Sequence, residues 1–191
     1  HGGPDDASAL LALYGRLSND DRWLRFFTVA APSPSFVESW LSIAERDGLV
    51  LVAWVQGPGD TPTLIAEAGY SLMANGDGEL GITVDPTWRG WLGPWLLWVL
   101  LGEAATRGVL NLQAEVLLTN RRMLALMRHH HPAVVDRTQP DEVRLAISTS
   151  GGVASWPAKH DGPRLLVEVG SGRWAGEATA RAAGFDVRTC S

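Results

Sequence analysis

The chain has 191 residues, which suits one domain with a buried core, and 46% of them are apolar. Its net charge of -5 argues against nucleic acid as the main partner, and its most apolar run, Trp91 to Leu101, is too short to cross a bilayer. The single cysteine, Cys190, excludes an internal disulfide and is typical of a cytoplasmic protein.

The first part of the chain predicts three helices. Pro4 to Ser8 opens the first, and leucines on one face continue it. Asp20 to Phe27 is predicted as a second, short helix with its aromatic residues on one face. We favour a core position for those aromatics, and the wall of a substrate groove is the alternative. A third helix is predicted over Phe36 to Arg46, with Ser35 as its N-cap.

Three strands are predicted next. Continuous apolar character over Leu49 to Val55 predicts a strand that is buried on both faces. A Gly/Pro/Asp turn leads to a second strand over Thr63 to Leu72. The turn Asn75 to Gly78 is typical of a hairpin and leads into a third strand, Glu79 to Val84. These strands should pair antiparallel.

A glycine-containing loop follows the third strand. It holds Arg89, Gly90 and Gly93, and an apolar helix is predicted from about Pro94 to Thr106. Glycines let the backbone approach a ligand closely, and a helix N-terminus offers unpaired N–H groups with a positive dipole end, so the segment suits a phosphate. An ordinary crossover between two strands, with a tight turn, is the alternative.

The sheet continues after this helix. A strand over Leu112 to Leu117 is followed by a helix over Arg121 to Arg128. Two further strands are predicted over Ala133 to Arg137 and Glu142 to Ser148. The order of elements predicts an α/β fold in which a mixed sheet carries helices on its faces.

The C-terminal part is predicted as a small appendage. Residues 150–162 are rich in Gly, Ser and Pro and predict a linker after a domain over residues 1–149. Residues 163–191 read as a strand, a helix and a strand. A βαβ-like unit of this size cannot bury a core alone. We expect it to pack on the first domain, to pair with another chain in a homodimer, or to begin a truncated second domain.

Three segments together resemble the GNAT N-acetyltransferase superfamily. Residues 84–93, VDPTWRGWLG, resemble its acyl-CoA motif, in which a strand end is followed by Gln/Arg-x-x-Gly-x-Gly/Ala and a helix. Residues 114–120, AEVLLTN, with Met123 and Leu126, resemble the strand and helix that come next. Residues 17–27, LSNDDRWLRFF, are similar to the LS…RFF segment of bacterial Pat-type protein lysine acetyltransferases. The resemblance covers roughly residues 4–148.

The resemblance implies a GNAT fold that uses acetyl-CoA as acyl donor and passes the acetyl group directly to an amine. The acceptor would be a protein lysine or a small-molecule amine, and the acidic residues Asp20, Asp21, Asp60 and Asp77 could attract a cationic acceptor. The implied coenzyme-binding residues are Ile82, Thr83, Val84, Arg89, Gly90, Trp91, Leu92, Gly93, Trp95, Asn120 and Met123. Asn120 could equally be the N-cap of the next helix.

The proposed chemistry needs a base, because an ammonium group must lose its proton before it attacks a thioester. Glu79 matches the position of the glutamate base in Pat-type enzymes; a solvated carboxylate at a hairpin end is the alternative, and Glu115 is the reserve candidate. No tyrosine stands where many members place a general acid, and His131 is the candidate proton donor instead. The three consecutive histidines ending there cannot share one metal ion on a helix, so no metal site is expected.

Two departures from the family pattern, an altered glycine loop and the absent tyrosine, favour an alternative function, whereas Glu79, Arg89 and Asn120 favour the enzyme. Leu92 and Pro94 replace loop glycines, or one residue is missing, and either change removes backbone access or a donor for a pyrophosphate. A GNAT-fold regulatory or binding module with weak or no catalysis is therefore the second candidate. The strand that precedes the first helix in the family has no counterpart before Pro4 and is absent, shortened or cut off.

Overall fold

The computed structural model describes residues 2–56, 61–130, 132–136, 139–150 and 165–168. These residues form a seven-stranded mixed sheet with helices on both faces, which confirms the predicted α/β class. The helices are α1 (Ala7–Gly15), α2 (Asn19–Phe26), α3 (Pro34–Arg46), α4 (Leu92–Thr106) and α5 (Arg121–Arg128). The strands are β1 (Gly48–Val55), β2 (Thr63–Leu72), β3 (Gly78–Val84), β4 (Asn111–Leu117), β5 (Ala133–Asp136), β6 (Glu142–Ser148) and β7 (Leu165–Glu168). Short 3₁₀ turns cover Pro4–Asp6 and Pro86–Trp88.

The strand order is β5-β6-β4-β3-β2-β1-β7. β1, β2 and β3 pair antiparallel along their lengths, and so do β4 and β6. Within the described strands, β3 and β4 are the one parallel pair, and they are in register only at Gly78↔Leu112 and Glu79↔Gln113. Beyond these two positions the strands part, which opens the middle of the sheet.

Asp77 holds the closed end of this opening. Its carboxylate accepts hydrogen bonds from Asn111 Nδ2 at 3.0 Å and from Gln113 Nε2 at 2.6 Å. Both donors belong to β4, whereas Asp77 lies in the hairpin turn immediately before β3. The turn residues therefore tie the beginnings of the two strands together and leave their C-terminal ends apart.

Two hydrophobic cores lie on the two faces of the sheet. α4 packs on one face with buried residues such as Trp95, Leu96 and Leu100, which is why its sequence is apolar all round. α1 and α3 pack on the other face, where Leu13 and Leu41 are buried. β1 and β2 contribute to both cores, as the unbroken apolar pattern of β1 predicts.

Two helix starts differ from the predictions. α3 begins at Pro34, and its N-cap is Ser33, whose Oγ accepts a hydrogen bond from the Phe36 N–H at 3.2 Å. The prediction of Ser35 was wrong because proline suits the first helical position and moves the cap one residue upstream of it. α4 begins at Leu92, ahead of the predicted start at Pro94.

The predicted C-terminal unit lies largely outside the described residues. Within it, β7 pairs antiparallel with β1, from Val52↔Glu168 to Val55↔Leu165. Residues 151–164 and 169–191, which hold nearly all of the predicted linker and the rest of the unit, are not among the residues described, so the proposed separate unit stays a prediction. No helix within the described ranges is long and apolar enough to cross a membrane.

Candidate active site

A cavity of about 620 Å³ occupies the opening between β3 and β4, and we call it the splay cavity. Its walls come from residues 80–84 of β3, the loop after that strand, α5 and α2. Beyond the two paired positions, the edges of β3 and β4 that face each other have no strand partner within the part of the chain that the structure describes. Backbone N–H and C=O groups need partners, so these edges can bind an extended ligand that carries amides.

The start of α4 opens into the splay cavity. Among the described residues, no side chain caps this helix N-terminus. Gly90, with φ of 105°, makes the left-handed turn that brings the loop there. Gly93 and Pro94 line the cavity, and a Cβ on Gly93 would meet only Val84 Cγ2, at 3.8 Å. The backbone is therefore accessible here, although Pro94 contributes no N–H.

The predicted coenzyme-binding residues divide into two groups. The splay cavity is lined by Ile82, Thr83, Val84, Arg89, Gly90, Gly93, Asn120 and Met123. Trp91, Leu92 and Trp95 do not line it. Leu92 and Trp95 are buried in the core because their side chains lie on the sheet-facing side of α4. Trp91 packs edge-on against Trp88 with ring centroids 6.4 Å apart.

Asn120 lines the splay cavity and is also the N-cap of α5, since its Oδ1 accepts a hydrogen bond from the Met123 N–H at 3.1 Å.

A second cavity of about 490 Å³ holds the two candidate bases, and we call it the carboxylate cavity. Glu79 and Glu115 line it, and both are exposed. The opposite wall is the segment from the end of α2 to the start of α3, with Phe26, Phe27 and Phe36. Glu115 is ion-paired with Arg144 of β6.

The two cavities adjoin each other. Arg25, Leu80 and Glu115 line both of them, whereas Glu79 lines the carboxylate cavity alone. A group that emerges from the splay cavity between β3 and β4 would therefore reach the carboxylate cavity. His129 lines the splay cavity, and His131, the predicted proton donor, lies outside the described residues.

We call the place where the two cavities meet the junction. A buried carboxylate that the sequence analysis did not single out binds Arg25, which lines both cavities there. Glu67 of β2 has none of its surface exposed and accepts hydrogen bonds from side chains of α1, α2, α3 and β3. The donors are Thr83 Oγ1 at 2.7 Å, Trp40 Nε1 at 3.2 Å, Tyr14 Oη at 3.3 Å and Arg25 Nη2 at 3.4 Å. Burial, and next the charge of Glu67, raise the pKa of Tyr14, so this phenol stays protonated.

Arg25 lies across β3 in a depression made by glycines. Gly69 and Gly81 are register partners in β2 and β3, and a Cβ on Gly81 would collide with Arg25 Nη2. The guanidinium carbon lies 5.0 Å from the Phe26 ring centroid and 5.8 Å from that of Trp40. Glycines inside a strand mark a close approach, so Gly81 was the signal from which the Arg25 contact could have been found.

Comparison with solved structures identifies the fold of this chain. The sequence matches no protein-family model and no curated protein. Among solved structures it is similar to the GNAT domain of S. lividans PAT, with a TM-score of 0.65 and 24% identity over 76% of this chain and 86% of that one.

Two further similar structures are matched over most of their own length. One is the ribosomal-protein-alanine N-acetyltransferase from Brucella melitensis, with a TM-score of 0.59 and 24% identity over 78% of this chain and 96% of that one. The other is the GNAT-family acetyltransferase from Streptococcus pneumoniae, with a TM-score of 0.59 and 20% identity over 75% and 93%. The chain thus has the fold of the GNAT N-acetyltransferases, as its motifs implied.

Proposed function

We propose that this protein is an N-acetyltransferase that takes acetyl-CoA as donor and transfers the acetyl group to a primary amine, of a protein lysine or of a small molecule. The supporting observation is the junction of the two cavities at the parting of β3 and β4. One cavity offers an uncapped helix N-terminus to an anion, and the other offers carboxylates to an amine. A cytoplasmic protein of this kind fits the single cysteine of the sequence.

The donor would bind in the splay cavity. Its pyrophosphate would lie against the backbone at Gly90 and Gly93, where the N-terminus of α4 attracts negative charge. Its amide-containing arm would pair with the edges of β3 and β4 that lack a strand partner. The thioester would then stand at the junction, beside Leu80 and Arg25.

The acceptor would enter through the carboxylate cavity. Glu79 would take a proton from the ammonium group, directly or through a water, and the neutral amine would attack the thioester carbon. A C–N bond forms, the C–S bond breaks, and the departing sulfur takes up a proton, for which His131 is the candidate donor. Unpaired backbone N–H groups of β3 would stabilise the developing oxyanion. The exposed carboxylates of Glu79 and Glu115 favour a cationic acceptor.

A second candidate is a GNAT-fold module that binds coenzyme weakly and does not transfer. Pro94 supports it, because this residue lies in the first turn of α4, lines the splay cavity and has no N–H for a phosphate. The buried Leu92 side chain does not oppose the enzyme reading, since it points away from the cavity.

The experiment that separates the two candidates incubates the protein with acetyl-CoA and a panel of amines: a lysine-containing peptide, spermidine and free amino acids. Release of coenzyme thiol that depends on the amine, together with an acetylated product by mass spectrometry, is expected of the enzyme. Saturable binding of acetyl-CoA without any amine-dependent thiol release would identify the binding module and refute the enzyme.

A further inference from the structure

The carboxylate of Asp21 lies between two arginines that line the splay cavity. Asp21 Oδ1 is 2.9 Å from Arg89 Nη2 and 3.6 Å from Arg122 Nη1. The three side chains come from α2, from the loop after β3 and from α5, and all of them line the cavity. A carboxylate thus occupies the space between the two arginines where an anionic group could bind.

The helix itself does not require this pairing. Asp21 is the third residue of α2, and its N–H donates to Ser18 Oγ at 3.1 Å while its Oδ2 accepts from the same hydroxyl at 2.8 Å. The first bond is the N-cap of α2 and the second orients the capping hydroxyl, and an amide side chain at position 21 could still accept the second bond. Asp20, one residue earlier, is exposed and supplies the same favourable charge to the helix start.

Other charges that line the cavity are already paired. Arg25 is held by Glu67, and Glu115 by Arg144. Among the arginines that line the cavity in the described structure, Arg89 and Arg122 are thus the pair whose partner, Asp21, is itself a residue of the cavity wall. Arg89 immediately precedes Gly90 in the loop after β3. Its Nε donates a hydrogen bond to the Val84 carbonyl at 3.2 Å.

We propose that Asp21 is an internal competitor for the phosphate groups of the donor, which holds Arg89 and Arg122 in the empty protein and yields at least Arg89 when the donor binds. This inference rests on the proposed function, because it assumes that a phosphate-bearing donor occupies the splay cavity. Its consequence is a weaker hold on every coenzyme species, product included, which favours product release. Leu24 and Arg25 follow Asp21 on the next turn of α2, and Arg25 lines both cavities.

The pKa of Asp21 provides a marker of the empty state. Burial raises this pKa, but hydrogen bonds from Arg89 and Ser18, and the charge of Arg89, outweigh burial and leave the pKa below its usual range. When a phosphate takes Arg89, the stabilisation of the carboxylate is lost and a neighbouring anion is gained. Both changes act in the same direction, so the pKa should rise on binding.

The first test compares three proteins by calorimetric titration with acetyl-CoA at low salt: wild type, Asp21→Asn and Asp20→Asn. Asp21→Asn should bind about threefold or more tightly, as expected from removing one competing ion pair. Asp20→Asn removes the same charge without an arginine contact and should bind like wild type. Equal or weaker binding by Asp21→Asn, or equal tightening by both variants, would overturn the proposal. If none of the three proteins binds acetyl-CoA, the proposed function fails instead.

The second test needs no variant and covers the case in which Asp21→Asn does not fold. Carboxyl carbon NMR of the wild-type protein follows the titration of Asp21 with and without saturating acetyl-CoA. The pKa of Asp21 should rise when the coenzyme is bound. An unchanged or lower pKa in the complex would mean that Asp21 keeps its arginines, and the proposal would be wrong.

Discussion

The splay cavity and the carboxylate cavity adjoin but are built from different parts of the chain. The splay cavity depends on main-chain features: the edges of two parted strands, a left-handed turn at Gly90 and the uncapped start of α4. The carboxylate cavity depends on side chains, with Glu79 and Glu115 facing aromatic residues from the α2–α3 segment. Glycine substitutions should therefore impair the splay cavity, and charge substitutions should impair the carboxylate cavity.

The largest effect should come from the carboxylate cavity. Glu79→Gln should lower the rate of acetyl transfer about 100-fold or more, because the amide cannot accept the proton of the amine. Its acetyl-CoA affinity should be that of wild type, since Glu79 does not line the splay cavity. Steady-state rates and calorimetric titration check the two parts.

Glu115→Gln is the matched control for that substitution. Glu115 is also exposed and lines the carboxylate cavity, but it is ion-paired with Arg144. We expect it to lose far less rate than Glu79→Gln. A larger loss in Glu115→Gln would transfer the role of base to the reserve candidate.

The next largest effect should come from the junction. Gly81→Ala places a methyl group against the Arg25 guanidinium, which then leaves Thr83 and the buried Glu67. We expect the free energy of unfolding to fall by about 1–3 kcal/mol, as for other overpacked sites, and both coenzyme affinity and rate to fall. Urea denaturation measures the stability. A variant with wild-type stability and rate would show that the position of Arg25 is unimportant.

Gly93→Ala isolates the splay cavity. A Cβ there meets no protein atom closer than 3.8 Å, so the fold should tolerate it, but the methyl group would stand where a phosphate must approach the backbone. We expect acetyl-CoA affinity to fall about tenfold, or 1.4 kcal/mol, with no loss of stability. Gly102→Ala, in the same helix with open space around its Cα, is the control and should bind normally. If both variants bound acetyl-CoA with equal affinity, the phosphates would have to bind away from Gly93.

The smallest effect should come from Asp85, which supports the loop from outside both cavities. Burial raises the pKa of Asp85, but the hydrogen bond from Arg16, at 2.7 Å, and the amide of Thr87 lower it more, so the net shift is downward. A lowered folded-state pKa means that the carboxylate stabilises the fold above the unfolded pKa of about 3.9, and that this stability is lost as pH falls through the folded-state value.

Asp85→Asn should therefore lower the free energy of unfolding at pH 7 by about 1 kcal/mol or less, because Arg16 is partly exposed. The difference from wild type should shrink as the pH falls below about 4. Urea denaturation at neutral and acid pH checks this. A difference that grows toward acid pH would have the wrong sign and would contradict the assigned pairing.

Much of the fold could be predicted because its signals are local. The turn before β3, the unbroken apolar pattern of β1 and the glycine loop before α4 each occupy a short stretch of sequence. The GNAT motifs added the order of the central elements, including the parallel crossover from β3 to β4. The resemblance implied that Leu92 and Trp95 contact the coenzyme, whereas in the folded chain both side chains are buried in the hydrophobic core.

The site residues that were missed depend on contacts between distant parts of the chain. Glu67 lies in a strand that reads as buried, and its partners Tyr14, Arg25 and Trp40 come from three different helices. Asp21, with Asp20, was expected to attract a cationic acceptor, but its carboxylate pairs with Arg89, and both residues line the splay cavity. Spacing along the sequence carries no information on such pairs, because only the folded sheet brings them together.

Thermal unfolding with and without acetyl-CoA is the most direct test of whether the splay cavity binds an acyl-CoA. A ligand at about 100 times its dissociation constant adds about 2.7 kcal/mol to the stability of the native state. For a domain of this size the melting temperature should rise by about 5–10 °C. No rise at millimolar acetyl-CoA would contradict the account, because the glycine loop and the start of α4 would then not hold the coenzyme.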